Sequence, residues 1–249
     1  MKKGWVRTLL SARMPLGRAL RIPLRLVPPS SPRRVVWGAA RGFLWIPESG
    51  PHGYWLGAYE WGTQRILEKY VRAGGTVFDV GANVGFFTLV AARLVGDEGR
   101  VVAFEPLPRN LRYLREHVRL NALKSVRVVG AAVSERPGSG FLAPGDSFSE
   151  WGLAGTGVPV DLVSLDDVVF SGGVPGPSLM KIDVEGSEVS VLKGATKVLE
   201  KFQPVVVLSG HGYDRHLASC EFLESRHYTV RLTRDGSADG NYGLIAKTR

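Results

Sequence analysis

The run Val77-Phe78-Asp79-Val80-Gly81-Ala82-Asn83-Val84-Gly85-Phe86-Phe87, followed one helix-length later by Val101-Val102-Ala103-Phe104-Glu105-Pro106, constrains this chain more than any other feature. An apolar stretch ending in an acid suits a strand covered on both faces of a parallel sheet, because neither face meets water. Gly81 and Gly85 allow a tight turn into a helix expected from Phe86 to about Val95. A second buried strand closes at Glu105, roughly 20 residues beyond the glycines, where a doubly wound fold sets an acid against ribose hydroxyls. Strand, turn, helix, strand and acid in this order predict a nucleotide-type cofactor site.

The glycine spacing narrows the ligand. A G-x-G-x-x-G site needs its second glycine where backbone meets pyrophosphate, and here Asn83 holds that place and Phe86 the third. A ligand without a diphosphate is favoured over NAD, and S-adenosyl-L-methionine fits. Its amino-acid end would meet the turn Gly81, Ala82, Asn83 and Gly85, with Asp79 attracting the α-ammonium directly or through water. Glu105, with Pro106 beside it, would hold the ribose, main-chain atoms of Ala131 and Ala132 would meet adenine, and Glu60 is a further candidate from the preceding helix. The competing readings are an NAD-dependent oxidoreductase and a cofactor-binding protein without catalysis.

Further blocks accompany the glycine turn: Gly57-Ala58-Tyr59-Glu60, Phe104-Glu105-Pro106 with Pro108 and Asn110, Val163-Ser164-Leu165-Asp166, and Lys181-Ile182-Asp183-Val184-Glu185-Gly186-Ser187-Glu188 leading to Leu192-Lys193-Gly194-Ala195. Through them the chain resembles the FkbM family of S-adenosylmethionine-dependent methyltransferases. The resemblance implies methyl transfer to a hydroxyl of a sugar, glycolipid or secondary metabolite. It also implies the class I, Rossmann-like fold: a mostly parallel, doubly wound seven-stranded sheet with helices on both faces and a C-terminal antiparallel strand pair. One departure stands out: after Pro204-Val205-Val206-Val207-Leu208 the family commonly has a glutamate, and this chain has Ser209-Gly210-His211.

Transfer from a sulfonium is an in-line displacement helped by near-attack positioning, and an alcohol must also lose its proton. Asp183, Glu185 and His211, expected at strand carboxyl ends, are the catalytic candidates. Lys181 and Asp183 share a strand face, as do Asp183 and Glu185 if the extended geometry continues. Asp183, Glu185 and Glu188 offer oxygens to a hard cation, but the spacing is permissive and no metal site is assigned.

The pattern of elements predicts a helix from Trp55 to Val71, strands at Val77–Val80, Arg127–Ala132, Leu179–Asp183 and Val205–Leu208, and a closing pair at Tyr228–Thr233 and Tyr242–Ala246. A single helix is expected from Glu188 to Lys201. Residues 134–160, rich in Gly, Ser and Pro, read as an irregular lid or acceptor-binding element at the carboxyl edge of the sheet.

Charge divides the chain. Residues 1–47 hold ten lysines and arginines and no acid, against a net charge of +9 for all 249 residues, so the remainder is nearly neutral. That argues against nucleic acid as a partner of the core. The expected division is a basic, Pro-containing extension over 1–47 and a methyltransferase domain over 48–249. Apolar residues interleaved with arginines make residues 1–35 a candidate for peripheral contact with an anionic membrane. Cys220 is the sole cysteine and permits a reducing compartment, so a cytoplasmic protein acting on a small-molecule or glycan acceptor is expected.

Overall fold

The computed structural model describes residues 28–51, 53–144, 151–210, 213–233 and 242–248. Thirteen strands lie among them: β1 (Arg33–Arg34), β2 (Leu44–Trp45), β3 (Thr76–Val80), β4 (Arg100–Phe104), β5 (Val126–Val129), β6 (Ala132–Val133), β7 (Gly138–Pro144), β8 (Trp151–Ala154), β9 (Val158–Val163), β10 (Leu179–Ile182), β11 (Val205–Gly210), β12 (Thr229–Thr233) and β13 (Tyr242–Lys247). The main sheet has seven strands in the order β12-β13-β11-β10-β3-β4-β5. β11, β10, β3, β4 and β5 run parallel, and β13 is inserted antiparallel between β11 and β12.

The chain moves outward from β3 through β4 to β5 and then returns to the other side of β3 with β10. The strand order therefore reverses between β3 and β10, and a crevice outside the carboxyl ends at such a point is where open α/β sheets bind ligands. All five side chains of β3 and all four of β10 are buried. Val80, Phe104, Ile182 and Leu208 pack on one face, and Val77, Leu179 and Val207 join Phe86, Leu89 and Val90 on the other.

Helix boundaries follow local chemistry. Pro108 opens the helix Pro108–Leu120, where its missing N–H costs nothing. Ser164 caps Leu165–Phe170 by accepting from Asp167 N at 3.0 Å. Asp166, in the same block, accepts from Val198 N (2.9 Å) and Lys197 N (3.1 Å) and so caps the neighbouring helix Thr196–Phe202.

Four expectations are corrected. The helix expected over Trp55–Val71 is two helices, Gly53–Leu56 and Trp61–Tyr70. Gly57 takes φ 82° with the Trp37 carbonyl packed where a Cβ would stand, and buried Gln64 Nε2 donates to the Gly57 and Tyr59 carbonyls, which fixes the break. The Glu188–Lys201 helix is likewise divided into Glu188–Lys193 and Thr196–Phe202. The third strand ends at Val129, so Ala131 and Ala132 lie beyond the main sheet and Ala132 enters a second one. That second sheet, in the order β6-β9-β7-β8, replaces the irregular segment expected at 134–160. Its antiparallel β7–β9 pairing buries Leu142 and Val160, while residues 145–150 lie outside the described residues.

Part of the segment expected as an extension packs on the domain. Val35, Ala40, Trp45 and Ile46 are buried in the core on the helix Phe86–Val95 side of the sheet. Asn121 Oδ1 accepts from Leu44 N (2.7 Å) and its Nδ2 donates to Leu44 O (2.8 Å), imitating a strand partner. Trp45 stacks on His117 with ring centres 3.8 Å apart. His117 Nδ1 lies 2.8 Å from the Val84 carbonyl and Nε2 accepts from Ile46 N at 3.0 Å. A carbonyl only accepts, so the imidazole is the neutral Nδ1–H tautomer. It ties the N-terminal segment to the turn that follows β3.

Burial pushes the His117 imidazole down to about 4, against the milder upward pull of Val84 and Glu116. The unfolded chain takes up this proton near pH 6.5 while the folded protein resists until about 4. Stability present above pH 6.5 is therefore lost as pH falls through that window, by about 3 kcal/mol at most for a shift of this size. Denaturant titrations from pH 7 to 4 should show His117→Gln, which cannot take up the proton, lacking this component of the slope. Parallel curves for parent and variant would acquit His117.

Candidate functional site

Lys181 and Asp79 are register partners across β10 and β3, so their side chains leave the sheet on one face. Lys181 is 3% exposed, with Nζ 3.3 Å from Asp183 Oδ2, 3.5 Å from Asp79 Oδ1 and 5.1 Å from the centre of the Phe87 ring. Burial alone would depress its ammonium pKa. Asp183, Asp79 and Glu60 outweigh burial and raise it above the ordinary lysine value. The side chain is a permanent buried cation at the switch point.

Asp79 is 1% exposed. Its Oδ2 accepts from Thr88 Oγ1 at 2.6 Å, and Oδ1 faces Lys181 as an ion pair without hydrogen-bond geometry. The carboxylate is thus bonded to the helix Phe86–Val95 and ion-paired with Lys181, and burial leaves little of its surface open. The acids that stay partly open are Asp183, with 24% of its side chain exposed, and Glu60, half-buried.

Glu60 stands at the amino end of the helix Trp61–Tyr70 with φ 37° and accepts from Thr63 Oγ1 at 3.1 Å. Burial raises its pKa and Asp183 adds to that, while Lys181, Tyr59 and Thr63 pull it down. Beside it, Tyr54 and Tyr59 are hydrogen-bonded, with ring centres 4.3 Å apart. Burial pushes the Tyr54 phenol up to about 12 and raises that of Tyr59 as well, so both stay neutral. The sequence reading passed over these tyrosines, although Tyr59 stands in the same block as Glu60.

At the end of β4, buried Glu105 accepts from Leu107 N at 2.8 Å, and the Asn83 backbone and Asn110 side chain also bond to it. Burial outweighs these bonds and pushes its pKa up to about 7. Gly81 has φ 75°, and a Cβ there would collide with the Asp183 carbonyl, so the β3 turn and the end of β10 touch backbone to backbone. Gly81 N and Ala82 N both donate to Phe104 O (3.1 and 2.9 Å), which holds the turn against β4.

The extended geometry does not continue past Asp183. Glu185 takes φ 44°, so Asp183 and Glu185 do not share a strand face. Glu188 is buried, accepts from Gly186 N at 3.0 Å and lies within electrostatic reach of buried His216. Gly152 of β8 approaches the Glu185 carbonyl, which brings the second sheet to the rim of the same crevice. His211 lies outside the described residues. Among the described residues no group of three or more His, Cys, Asp or Glu is disposed to hold a metal ion.

The residues present suit a ligand bearing positive charge and a ribose. Three carboxylates, those of Asp79, Asp183 and Glu60, face one ammonium, so the cluster is formally acidic, and Glu105 closes the neighbouring strand. A hollow lined by Gln203, His227, Tyr228, Thr229 and Thr248 lies instead at the opposite, amino edge of the sheet, away from these groups.

Residues 79–230 match the model of the methyltransferase FkbM domain. The chain is 30% identical over 182 residues to the hexuronic acid methyltransferase AglP of Haloferax volcanii, covering 69% of this chain and 72% of that protein. It is 34% identical over 201 residues to the 31-O-demethyl-FK506 methyltransferase FkbM of Streptomyces tacrolimicus, covering 66% and 76%. Among solved structures, a methyltransferase FkbM from Methylobacillus flagellatus superposes with TM-score 0.54 at 19% identity, over 79% of this chain and 55% of that one. Aeropyrum pernix fibrillarin with natively bound S-adenosyl-L-methionine gives 0.52 at 12% identity, over 75% and 73%.

Removing Lys181 would leave Asp79 buried without its cation, a change that costs about 3 to 5 kcal/mol. Lys181→Met should therefore lower unfolding free energy by that amount, and adding Asp79→Asn should recover a substantial part of it. A double variant as unstable as the single one would show that packing, and not charge pairing, sets the cost.

Proposed function

The chain belongs to the FkbM family of methyltransferases and takes S-adenosyl-L-methionine as its cofactor, and from that premise we propose that it methylates a hydroxyl group of a saccharide or related metabolite. The observation that carries this reading is the acidic cluster at the carboxyl ends of β3 and β10, held by a single buried ammonium. Its relatives support the acceptor class: one is named for hexuronic acid, the other for a 31-O-demethyl compound.

S-adenosyl-L-methionine supplies an electrophilic methyl group on a sulfonium. Glu105 accepts the ribose hydroxyls, with Pro106 shaping that edge. Glu60, half-buried where Asp79 is 1% exposed, would receive the α-ammonium. The turn Gly81, Ala82, Asn83 and Gly85 meets the amino-acid end, and Ala131 and Ala132 meet the adenine through main-chain atoms. Asp183, partly exposed at the end of β10, takes the proton from the acceptor hydroxyl, while Lys181 fixes its orientation. Glu185 flanks the acceptor side, and His211, which follows β11 in the sequence, is a further candidate there. The second sheet, touching Glu185 through Gly152, forms the acceptor wall.

The acid-free segment 1–35 is assigned to transient contact with an anionic lipid surface, with the protein in the cytoplasm. Among the described residues no helix is long and apolar enough to cross a membrane. Sedimentation with anionic vesicles, reversed by salt, would support that contact, and equal sedimentation with neutral vesicles would refute it.

Two outcomes test the site. Burial pushes the Glu105 carboxyl up to about 7, and hydroxyl donors favour its ionised form, so cofactor affinity should hold above pH 7 and fall as pH drops below it, by up to about tenfold per unit. Calorimetry with Glu105→Gln should show a weaker and flatter profile, and an unchanged profile would remove Glu105 from the ribose. Asp183→Asn should reduce methyl transfer by about 10² to 10⁴ with cofactor affinity little altered. Wild-type turnover of labelled methyl in that variant would exclude Asp183 as the base.

A further inference from the structure

Trp37 and Trp61 stack with ring centres 4.3 Å apart and planes inclined by 15°, yet they remain 52% and 39% exposed. Indoles gain most from burial, as Trp45 and Trp55 do in the same region, so a flat aromatic pair left in water calls for a partner. The backbone under the pair is fixed. Val36 N donates to Trp55 O (3.0 Å), Ala39 N donates to Gln64 Oε1 (3.1 Å), and the Trp37 carbonyl packs on Gly57. The platform is therefore preorganised.

Its position links it to the site. The helix Trp61–Tyr70 leads into the amino end of β3, so Trp61, at the other end of that helix, lies toward the carboxyl edge where the cofactor turn is. Glu60, the residue before Trp61, is felt electrostatically by Lys181 and Asp183. Arg65 follows Trp61 by one turn on the same helix face, with its side chain 66% exposed and paired with Glu68 at 2.8 Å.

We propose that the Trp37–Trp61 pair is the stacking platform for a pyranose ring of the acceptor, with Arg65 placed to meet a carboxylate on that ring. This inference rests on the reading of the protein as a methyltransferase of saccharide hydroxyls. A pyranose presents a face of C–H groups with partial positive charge, which complements the negative face of an indole. Arg65 adds a guanidinium suited to a planar carboxylate, so a hexuronoside is held better than a neutral glycoside.

Saturation-transfer NMR on the full chain with S-adenosylhomocysteine, using methyl β-glucuronide and methyl β-glucoside as probes, tests this directly. Transfer should be strongest to the protons of one ring face, and the glucuronide should bind more tightly. Trp37→Ala and Trp61→Ala should each weaken it about tenfold, and Trp61→Leu, which keeps apolar bulk without a flat ring, should behave like Trp61→Ala. Cofactor affinity by calorimetry should stay unchanged in all three. Absence of transfer to both probes, or equal transfer in the variants, overturns the platform. Loss of anionic-vesicle binding in the variants without any change in sugar contact would assign the pair to a lipid surface and equally overturn it. Failure of the methyltransferase reading would be seen separately, as a wild-type protein that binds no cofactor.

Discussion

A buried ammonium must lose its proton or find carboxylates, and Lys181 has found them on the two strands that flank the switch point. Its pairing with Asp79 across the β3–β10 register and with Asp183, just past the end of its own strand, ties the two strand ends together. The Gly81 turn then has one place to go, against the Asp183 carbonyl, and Asn83 is delivered to Glu105. Isolated buried ion pairs are poor sources of stability, because desolvation offsets most of the attraction. The return here lies in geometry: one cation orients the partly exposed Asp183 and is felt by Glu60.

The N-terminal segment is the second support of the same turn. Trp45 covers His117, whose two ring nitrogens join the Ile46 amide to the Val84 carbonyl within the turn itself. Charge composition and packing thus divide the chain at different points. The acid-free composition runs through residue 47, but the aromatic contacts draw residues from Val35 onward into the domain. A run of arginines signals solvent at those positions without saying whether the apolar residues between them are buried.

The central sheet was legible because strands covered on both faces write their burial as mostly apolar runs, as in β4 and β11, with β3 and β10 each broken by a single charge, Asp79 and Lys181. The position of Glu105 was legible because the apolar run of β4 ends there. The ion pair of Asp79 was not legible for a reason of register: its partner Lys181 is about a hundred residues away in sequence, and only the β3–β10 pairing brings ammonium and carboxylate together. The second sheet escaped notice because Gly, Ser and Pro dominate residues 134–160, although Val158-Pro159-Val160-Asp161-Leu162-Val163 does alternate. Tyr54, Tyr59 and Thr88 carry no spacing signal that marks them as site residues. The left-handed turn at Gly57 hid in a helical pattern, since its cause is the Trp37 carbonyl packed against it.

The proposed division of labour among the acids, in which Glu60 rather than Asp79 meets the cofactor ammonium, is tested most directly by comparing two ligands. S-adenosylmethionine carries an α-ammonium, and methylthioadenosine lacks the amino-acid end that bears it. The ratio of their dissociation constants, measured by calorimetry, should favour S-adenosylmethionine in the parent protein and in Asp79→Asn, and should collapse in Glu60→Gln, by about tenfold for a charge-assisted hydrogen bond. A ratio untouched by Glu60→Gln but abolished by Asp79→Asn would contradict this assignment and return the cofactor ammonium to Asp79.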